Sequence, residues 1–158
     1  MSDLMMELVT RDWLEDDREG VYPVSDELLA VAAAFCLERW RERAEERGLP
    51  VPRDLSYACK FTSLFLRELI GGEIKGNWDH QFVELDGEIY DLNRSAEDVA
   101  NLVDPWHHDP EFMGNPEHIE ALESCIPRVR TWVEKFMSQY SPEPGADFIG
   151  SEPCSISM

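Results

Sequence analysis

Three residues that could perform thiol chemistry follow one another in a short stretch of this chain: Cys59, His80 and Asp91. A cysteine thiolate is a strong nucleophile, a histidine can take up and return its proton, and a carboxylate can orient the imidazole ring. His80 comes 21 residues after Cys59, and Asp91 comes 11 residues after His80. These residue types also co-occur by chance, so they predict a thiol site only if the fold brings them together.

Cys59 stands at the start of a predicted helix, "CKFTSLFLRELIGG", whose apolar residues cover more than one face and which ends at Gly71 or Gly72. Such a helix is largely buried. A thiolate at a helix N-terminus is stabilised by unpaired backbone N–H groups and by the helix dipole. The same N–H groups can hold the oxyanion of an acyl-transfer intermediate. Cys59 is therefore the predicted nucleophile.

A β-hairpin is predicted after that helix. Asp86-Gly87 is a strong signal for a two-residue turn, and it separates the strand-like residues 82–85 and 88–90. A turn of this length pairs Leu85 with Glu88 and sets the register of the two strands. The hairpin register can therefore be extended, residue by residue, to His80.

In this register His80 lies opposite Asn93, and Phe82 lies opposite Asp91. Facing residues of an antiparallel pair project to the same side of the sheet, and so do their neighbours two positions along. His80, Asp91 and Asn93 therefore share one face, with Asp91 diagonal to His80. Either Asp91 or Asn93 could orient the imidazole, and the helix that carries Cys59 must cover that face.

The order of helix cysteine, strand histidine and strand aspartate resembles the papain-like and transglutaminase-like superfamily, and within it the small YunG-type proteins of bacteria and their phages. The matching features are Cys59, "GGEI" at residues 71–74, His80 and "IYDLN" at residues 89–93, which together cover about 40 of the 158 residues. The resemblance implies that Cys59 is the nucleophile, His80 the base and Asp91 its orienting partner. Members include peptidases, amidases, acyltransferases and inactive descendants.

The expected fold class is α+β, with a papain-like (transglutaminase-like) core in which the cysteine-bearing helix packs on a small antiparallel sheet. Extra helices flank this core at residues 25–47, with Ser25 as cap, and at residues 95–102, with Ser95 as cap. A further helical segment begins near Pro116 and is kinked or split at Pro127. Residues 1–140 form one domain, and residues 141–158, rich in Pro, Gly, Ser and acids, form a disordered acidic tail.

The charge balance limits the partners that this chain can have. It contains 33 acidic and 14 basic residues, a net charge of −19, so nucleic acid and anionic membranes would be repelled. Solubility, a salty medium or binding to a basic protein would each account for such a charge. The start of the chain does not resemble a signal peptide, and no stretch is predicted to span a membrane.

Because neither a signal peptide nor a membrane span is predicted, a reducing cytoplasm is the expected location, and free thiols are expected there. No C-x-x-C pair is present, so a zinc site built on such pairs is not expected, nor is any cofactor. Four reduced cysteines are expected: Cys36, Cys59, Cys125 and Cys154. The group His107-His108-Asp109, together with His118, could ligate a metal, but adjacent loop histidines rarely converge on one ion, and we predict no metal site.

Four further residues are candidates for substrate contacts: Tyr57, Trp78, Gln81 and Trp106. Trp78 and Trp106 could form the walls of a groove, although packing in the core or at its rim is an equal alternative. Tyr57 and Gln81 stand beside the candidate nucleophile and base and could contribute to the groove or to an oxyanion hole.

The predicted function is a cysteine-dependent hydrolase or acyltransferase that acts on a peptide, an amide or a related acyl substrate. The alternative is a non-catalytic acidic binding or inhibitor protein, for example one encoded by a phage, that keeps the fold and binds a basic partner. A reactive Cys59 would favour the enzyme. Tight binding of a basic protein by a chain with an inert Cys59 would favour the inhibitor.

Overall fold

The computed structural model describes residues 18–141; Cys154 and the predicted acidic tail beyond Ser141 lie outside them. Helix α1 spans Asp26–Glu46. The Ser25 hydroxyl accepts a hydrogen bond of 3.0 Å from the Leu28 N–H, which satisfies one unpaired donor of the first turn. The predicted cap and limits of this helix are confirmed.

The buried face of α1 runs along every fourth residue. It comprises Leu28, Ala32, Cys36, Trp40 and Ala44. Val31, which the apolar pattern places on the same face, is instead exposed. The large indole of Trp40 packs on Phe61 in the next helix, so this row of residues faces the core.

Helix α2 spans Cys59–Ile70, and every residue from Thr62 onward is buried. Strand β2, Gly71–Gly76, begins at the very next residue. Gly71 and Gly72 both have positive φ angles, 87° and 89°, a conformation that only glycine adopts without strain. The predicted buried helix and its glycine terminus are confirmed.

A small antiparallel sheet is formed by β2, β3 (Gln81–Leu85) and β4 (Glu88–Tyr90). A two-residue strand β1, Arg18–Glu19, pairs with the start of β2 and completes the order β1-β2-β3-β4. This sheet, together with the helices, makes the molecule a mixed α+β fold.

The hairpin turn has the backbone geometry that its sequence predicts. Asp86 and Gly87 both have positive φ, 52° and 81°, as in a type I′ turn. Leu85 pairs with Glu88, as the two-residue turn requires, but the ladder ends at the pair of Val83 and Tyr90. The positions after Tyr90 therefore leave the strand, and pairing no longer dictates where their side chains point.

Helix α2 lies between the sheet and the outer helices. It packs on β2 and β3 and, on its other side, on helix α5, which spans Pro116–Gln139. Aromatic rings fill the helix interface: Phe65 lies 5.5 Å from Phe136 and 5.7 Å from Phe35, between ring centroids. Both faces of α2 are thus covered, which leaves its N-terminal end as the accessible part.

The helix expected at residues 95–102 is shorter, and its first N–H groups are capped by residues distant in the sequence. Helix α3 spans Glu97–Ala100, and its cap residue Ala96 has no side-chain acceptor, so Ser95 does not serve as the cap. Asp54 accepts the Glu97 N–H at 2.9 Å, and Ser56 accepts the N–H of the next residue at 3.2 Å. The loop that leads to Cys59 is thereby fastened to α3.

The C-terminal part of the described chain also differs in detail from expectation. A short helix α4, Pro110–Met113, lies within the predicted proline-rich loop. Helix α5 continues through Pro127, so the predicted split does not occur. Cys125 and Val129, on either side of the proline, are both buried, and this packing offsets the loss of one backbone hydrogen bond. Within residues 18–141, no helix is long and apolar enough to cross a membrane.

We expect Gly72→Ala to destabilise the fold strongly. A Cβ at this position would lie 2.5 Å from the backbone oxygen of Glu84, at a φ of +89°. The free energy of unfolding should fall by about 2–5 kcal/mol, from backbone strain and overpacking together. Chemical denaturation measures this change.

Gly87→Ala is the matched control, because its φ is +81° but nothing lies within 4 Å of the added Cβ. Its loss should be limited to about 1–2 kcal/mol of backbone strain. Equal losses in the two variants would contradict the close approach of β2 to β3.

Candidate active site

Cys59 is the first residue of α2, and its thiol is free and partly exposed. The cap residue Ala58 provides no side-chain acceptor, and the first turn contains no acidic residue. The N–H groups of a first turn have no acceptor within the helix. The chain as a whole contains 33 acidic residues. At Cys59, by contrast, the positive end of the helix dipole, the N–H donors of the first turn and the basic residue Lys60 lie together.

The backbone of His80 is fixed by a turn that Asn77 organises. The Asn77 side-chain oxygen accepts the N–H groups of Asp79 and His80 at 2.8 and 3.1 Å. Its amide nitrogen donates to the His107 carbonyl at 2.7 Å. Gly76 permits the tight turn, since a Cβ there would lie 2.5 Å from the His80 carbonyl oxygen. His80 is therefore the last residue of a rigid connection between β2 and β3, and its backbone position is fixed.

Asp91 is the orienting partner of His80. Its Oδ2 lies 2.6 Å from His80 Nε2, and the two side chains are only 2% and 1% exposed. Its Oδ1 accepts the Asn93 N–H at 2.8 Å. The ring of Trp106 packs edge-on against the imidazole, with 5.5 Å between centroids. The carboxylate thus holds the ring in one orientation, away from bulk water.

The Cys59 thiol lies beside the same imidazole, close enough for its hydrogen bonding and charge to raise the pKa of His80. Because Nε2 faces Asp91, the second ring nitrogen, Nδ1, is the atom left for the sulfur. Burial lowers the pKa of His80, but the hydrogen bonds and charges of Asp91 and Cys59 outweigh it and raise the pKa from 6.5 to about 9. The imidazole is therefore protonated at neutral pH. The three residues singled out by sequence are brought together.

Asn93 does not face the imidazole. Its side-chain oxygen accepts the Thr62 hydroxyl at 2.6 Å, and its amide nitrogen donates to the Leu55 carbonyl at 2.7 Å. The open choice between Asp91 and Asn93 is therefore decided in favour of Asp91. Asn93 ties the loop before α2 to the first turns of that helix.

Gln81 lies in the interior and does not line a groove. It is 2% exposed, and its amide nitrogen donates to Ser63 at 2.6 Å. The Ser63 hydroxyl in turn donates to the Cys59 carbonyl at 2.6 Å. Gln81 therefore supports the backbone of Cys59 from β3 and is placed to position the thiol.

Three polar residues at the site, Thr62, Ser63 and Asn77, were not singled out by sequence. Thr62 and Ser63 place two hydroxyl groups among the apolar residues of the helix, and buried hydroxyls require partners. Asn77 precedes His80 by three residues, the spacing of an asparagine whose side chain caps a turn. The sequence therefore shows that these side chains need hydrogen-bond partners, but it does not show which residues the partners are.

The three aromatic candidates have different environments. Trp106 is half-buried over His80, and the Arg94 guanidinium stacks on its outer face at 4.8 Å. Trp78 is 72% exposed and packs on Phe112. Tyr57 is 82% exposed at a φ of 68°. Trp106 therefore shields the imidazole, whereas Trp78 and Tyr57 present free surface on the segments that lead to His80 and Cys59.

The histidine-rich group at residues 107–109 serves the local fold. The His108 Nδ1 atom accepts the Gly76 N–H at 3.3 Å, and Asp109 caps α4. His118 stacks on Phe112, with 4.3 Å between centroids. Across residues 18–141, no group of three or more His, Cys, Asp or Glu side chains could hold a metal ion.

The other described cysteines are poorly placed for chemistry. Cys36 and Cys125 are free and buried. Burial raises the pKa of both thiols, that of Cys36 well above its ordinary value. Cys59 is the free thiol that combines partial exposure with a histidine partner.

Comparison of the chain with protein-family models, with curated proteins and with solved structures finds no match. The resemblance to the papain-like and transglutaminase-like superfamily is therefore carried by the residues of this chain alone. A function for the chain depends on the arrangement of Cys59, His80 and Asp91 described above.

Proposed function

We propose that this chain is a cysteine-dependent hydrolase or acyltransferase that acts on an amide or related acyl bond. The observation that carries the proposal is the buried His80–Asp91 hydrogen bond of 2.6 Å, beside a Cys59 thiol that raises the pKa of the same ring. Buried ion pairs are often no more stabilising than apolar residues of the same size. A role in catalysis therefore explains this pair better than a role in stability.

The reaction begins with the proton on His80 and the Cys59 sulfur as a thiolate. The sulfur attacks the carbonyl carbon of the substrate, and the first-turn N–H groups of α2 stabilise the oxyanion that forms. The bond to the leaving amine then breaks, and the amine takes the proton from His80. The acyl group remains on Cys59 as a thioester.

The second half of the reaction regenerates the thiolate. Water, in a hydrolase, or another nucleophile, in an acyltransferase, gives a proton to His80 and attacks the thioester carbonyl. The carbon–sulfur bond breaks, so that Cys59 and the protonated His80 return to their starting states. Asp91 keeps the imidazole aligned in both halves.

The site also supports a papain-like fold, which we propose as the family-level description of this core. The supporting features are a helix that begins at the nucleophile, a hairpin that it covers, and a histidine and an aspartate at the ends of the hairpin strands.

We expect Cys59 to react with iodoacetamide at pH 6 at least about tenfold faster than Cys36 and Cys125, because Cys59 is partly exposed beside a histidine and the other two thiols are buried. In His80→Ala the labelling of Cys59 itself should slow by at least about tenfold relative to the wild type, and in Asp91→Ala it should slow by less. Mass-spectrometric labelling of each cysteine against pH measures the rates. His107→Ala is the control, since it removes a half-exposed histidine outside the triad.

If Cys59 labels as fast in His80→Ala as in the wild type, the enzyme proposal is wrong. The alternative, an acidic protein that binds a basic partner, would then account for the chain.

A pH titration should show the charge of His80 directly. Its NMR signals should report an imidazolium through neutral pH, with a midpoint at about 9. Asp91→Asn should lower that midpoint by at least about one unit, because the neutral amide no longer stabilises the charge. A wild-type midpoint near 6.5 would contradict the buried pair.

The free energy of unfolding should also depend on the protonation of His80. The pKa of His80 in the folded protein, about 9, lies above the ordinary value of 6.5. The protonated His80 therefore contributes fully to the free energy of unfolding below pH 6.5, and this contribution is lost as the pH rises through 9. Denaturation at a series of pH values should show this fall in the wild type and not in His80→Gln. A fall of the same size in both proteins would assign it to another group.

A further inference from the structure

Tyr57 occupies a conformation that does not suit its side chain. It has a φ of 68°, in the left-handed region, and is 82% exposed. A residue other than glycine in this region costs free energy, because its Cβ crowds the neighbouring carbonyl oxygen. Among residues 18–141, no partner of its ring or hydroxyl offsets that cost. Stability alone would favour glycine, and strain of this kind is concentrated at functional sites.

The turn that carries Tyr57 is firmly built. The Tyr57 N–H donates to Asp98 Oδ2 at 2.8 Å, and the Ser56 N–H donates to Asp54 Oδ1 at 3.0 Å. Ala58 is anchored through its own N–H to the Leu55 carbonyl at 3.0 Å. The ring is thus presented on a rigid segment, two residues before Cys59.

The same ring lines a cavity of about 640 Å³, a size typical of small-molecule and peptide-side-chain sites. Apolar residues of α1 and of the following loop form much of its wall: Trp40, Leu49, Pro50, Val51 and Pro52. Leu49 and Val51 are 51% and 59% exposed, so this apolar surface is accessible from solvent.

The charged groups of the cavity are largely engaged with the protein itself. Both carboxylate oxygens of Asp54 accept backbone N–H groups, and Asp98 binds the Tyr57 N–H. Arg53 faces Glu97 at 3.9 Å, and the Arg43 guanidinium stacks on Trp40 at 4.7 Å. A ligand would therefore meet the apolar wall together with a few polar atoms, among them Asp98 Oδ1 and Arg43 Nε, which are buried without a partner.

The cavity lies on the Tyr57 side of the nucleophile. None of its lining residues belongs to the segment 58–96, which carries Cys59, His80 and Asp91. In the proposed reaction the leaving group must reach His80 to receive a proton, while the acyl group stays on Cys59. A cavity away from His80 therefore suits the acyl half of the substrate.

We propose that Tyr57 and this cavity bind the acyl half of the substrate, and that this half carries a bulky apolar group. This inference rests on the proposed function. Tyr57 is a specificity-determining residue in this account: its ring and the Leu49–Val51 wall enclose the apolar group.

Two chloromethyl ketones with the same reactive group test this inference. One carries an N-acetyl-leucyl-glycyl chain and the other an N-acetyl-glycyl-glycyl chain, and iodoacetamide reports the intrinsic reactivity of Cys59. The leucyl probe should label wild-type Cys59 at least about tenfold faster than the glycyl probe, a difference that one well-buried apolar side chain can provide.

Tyr57→Gly and Val51→Asp should each reduce that ratio to about a third or less, a loss that corresponds to part of one apolar contact. Tyr57→Gly should also melt no lower than the wild type, because glycine relieves the strained φ. Val103→Asp is the matched control: it places the same charge on a fully exposed valine outside the cavity, and it should leave the ratio unchanged.

Equal rates for the two ketones in the wild type, with Cys59 still reactive toward iodoacetamide, would overturn this inference and leave the proposed function intact. An equal loss of ratio in Val103→Asp and Val51→Asp would also overturn it. A Cys59 that reacts with none of the three reagents would overturn the proposed function and this inference with it.

Discussion

The buried hydrogen bond between His80 and Asp91 is the constraint on which the arrangement of this site depends. A charge removed from water is costly unless it is paired and hydrogen-bonded. Here both side chains are nearly inaccessible, Asp91 has a backbone donor for its second oxygen, and Trp106 covers the ring. The remaining ring nitrogen is left for Cys59, so the burial of one pair also fixes the environment of the thiol.

Two side-chain bridges keep the thiol at that pair. Thr62 bonds to Asn93 beyond the end of β4, and Ser63 links the Cys59 carbonyl to Gln81 on β3. Both bridges start within the first five residues of α2, where the helix meets the sheet. Hydrogen bonds buried in this way are expensive to break, so the end of the helix cannot move independently of the hairpin.

The parts of this site that are visible in the sequence are those set by local rules. The Asp86-Gly87 turn requires positive φ at two successive residues, and it fixed the hairpin register correctly. Cys59 was placed at a helix start by the apolar pattern that follows it. Both predictions use residues that are close together in the chain.

The features that sequence could not decide depend on contacts between distant segments. Strand pairing ends at Tyr90, so register could not distinguish Asp91 from Asn93 as the partner of His80. Gln81 was expected near substrate, but Ser63, 18 residues earlier, binds it. The cap of α3 is supplied by Asp54, 43 residues before the N–H that it accepts.

The net charge of −19 does not prevent a negative charge from forming during a reaction at Cys59. The acidic side chains of the neighbouring segments already accept hydrogen bonds from the protein. Asp54 and Asp98 accept backbone N–H groups, and Asp91 binds His80. The first turn of α2 carries no acid. The groups next to Cys59 are thus the N–H donors of the first turn of α2 and the His80 ring.

The most direct test of the central claim is to trap the acyl-enzyme. The protein would be mixed with p-nitrophenyl acetate at pH 7, quenched in acid within seconds, and mapped by mass spectrometry. The account predicts a single acetyl group on Cys59 that forms with a burst of p-nitrophenol, disappears as turnover proceeds, and is absent in His80→Ala. An acetyl group that never appears on Cys59, or that forms equally in His80→Ala, would contradict the account.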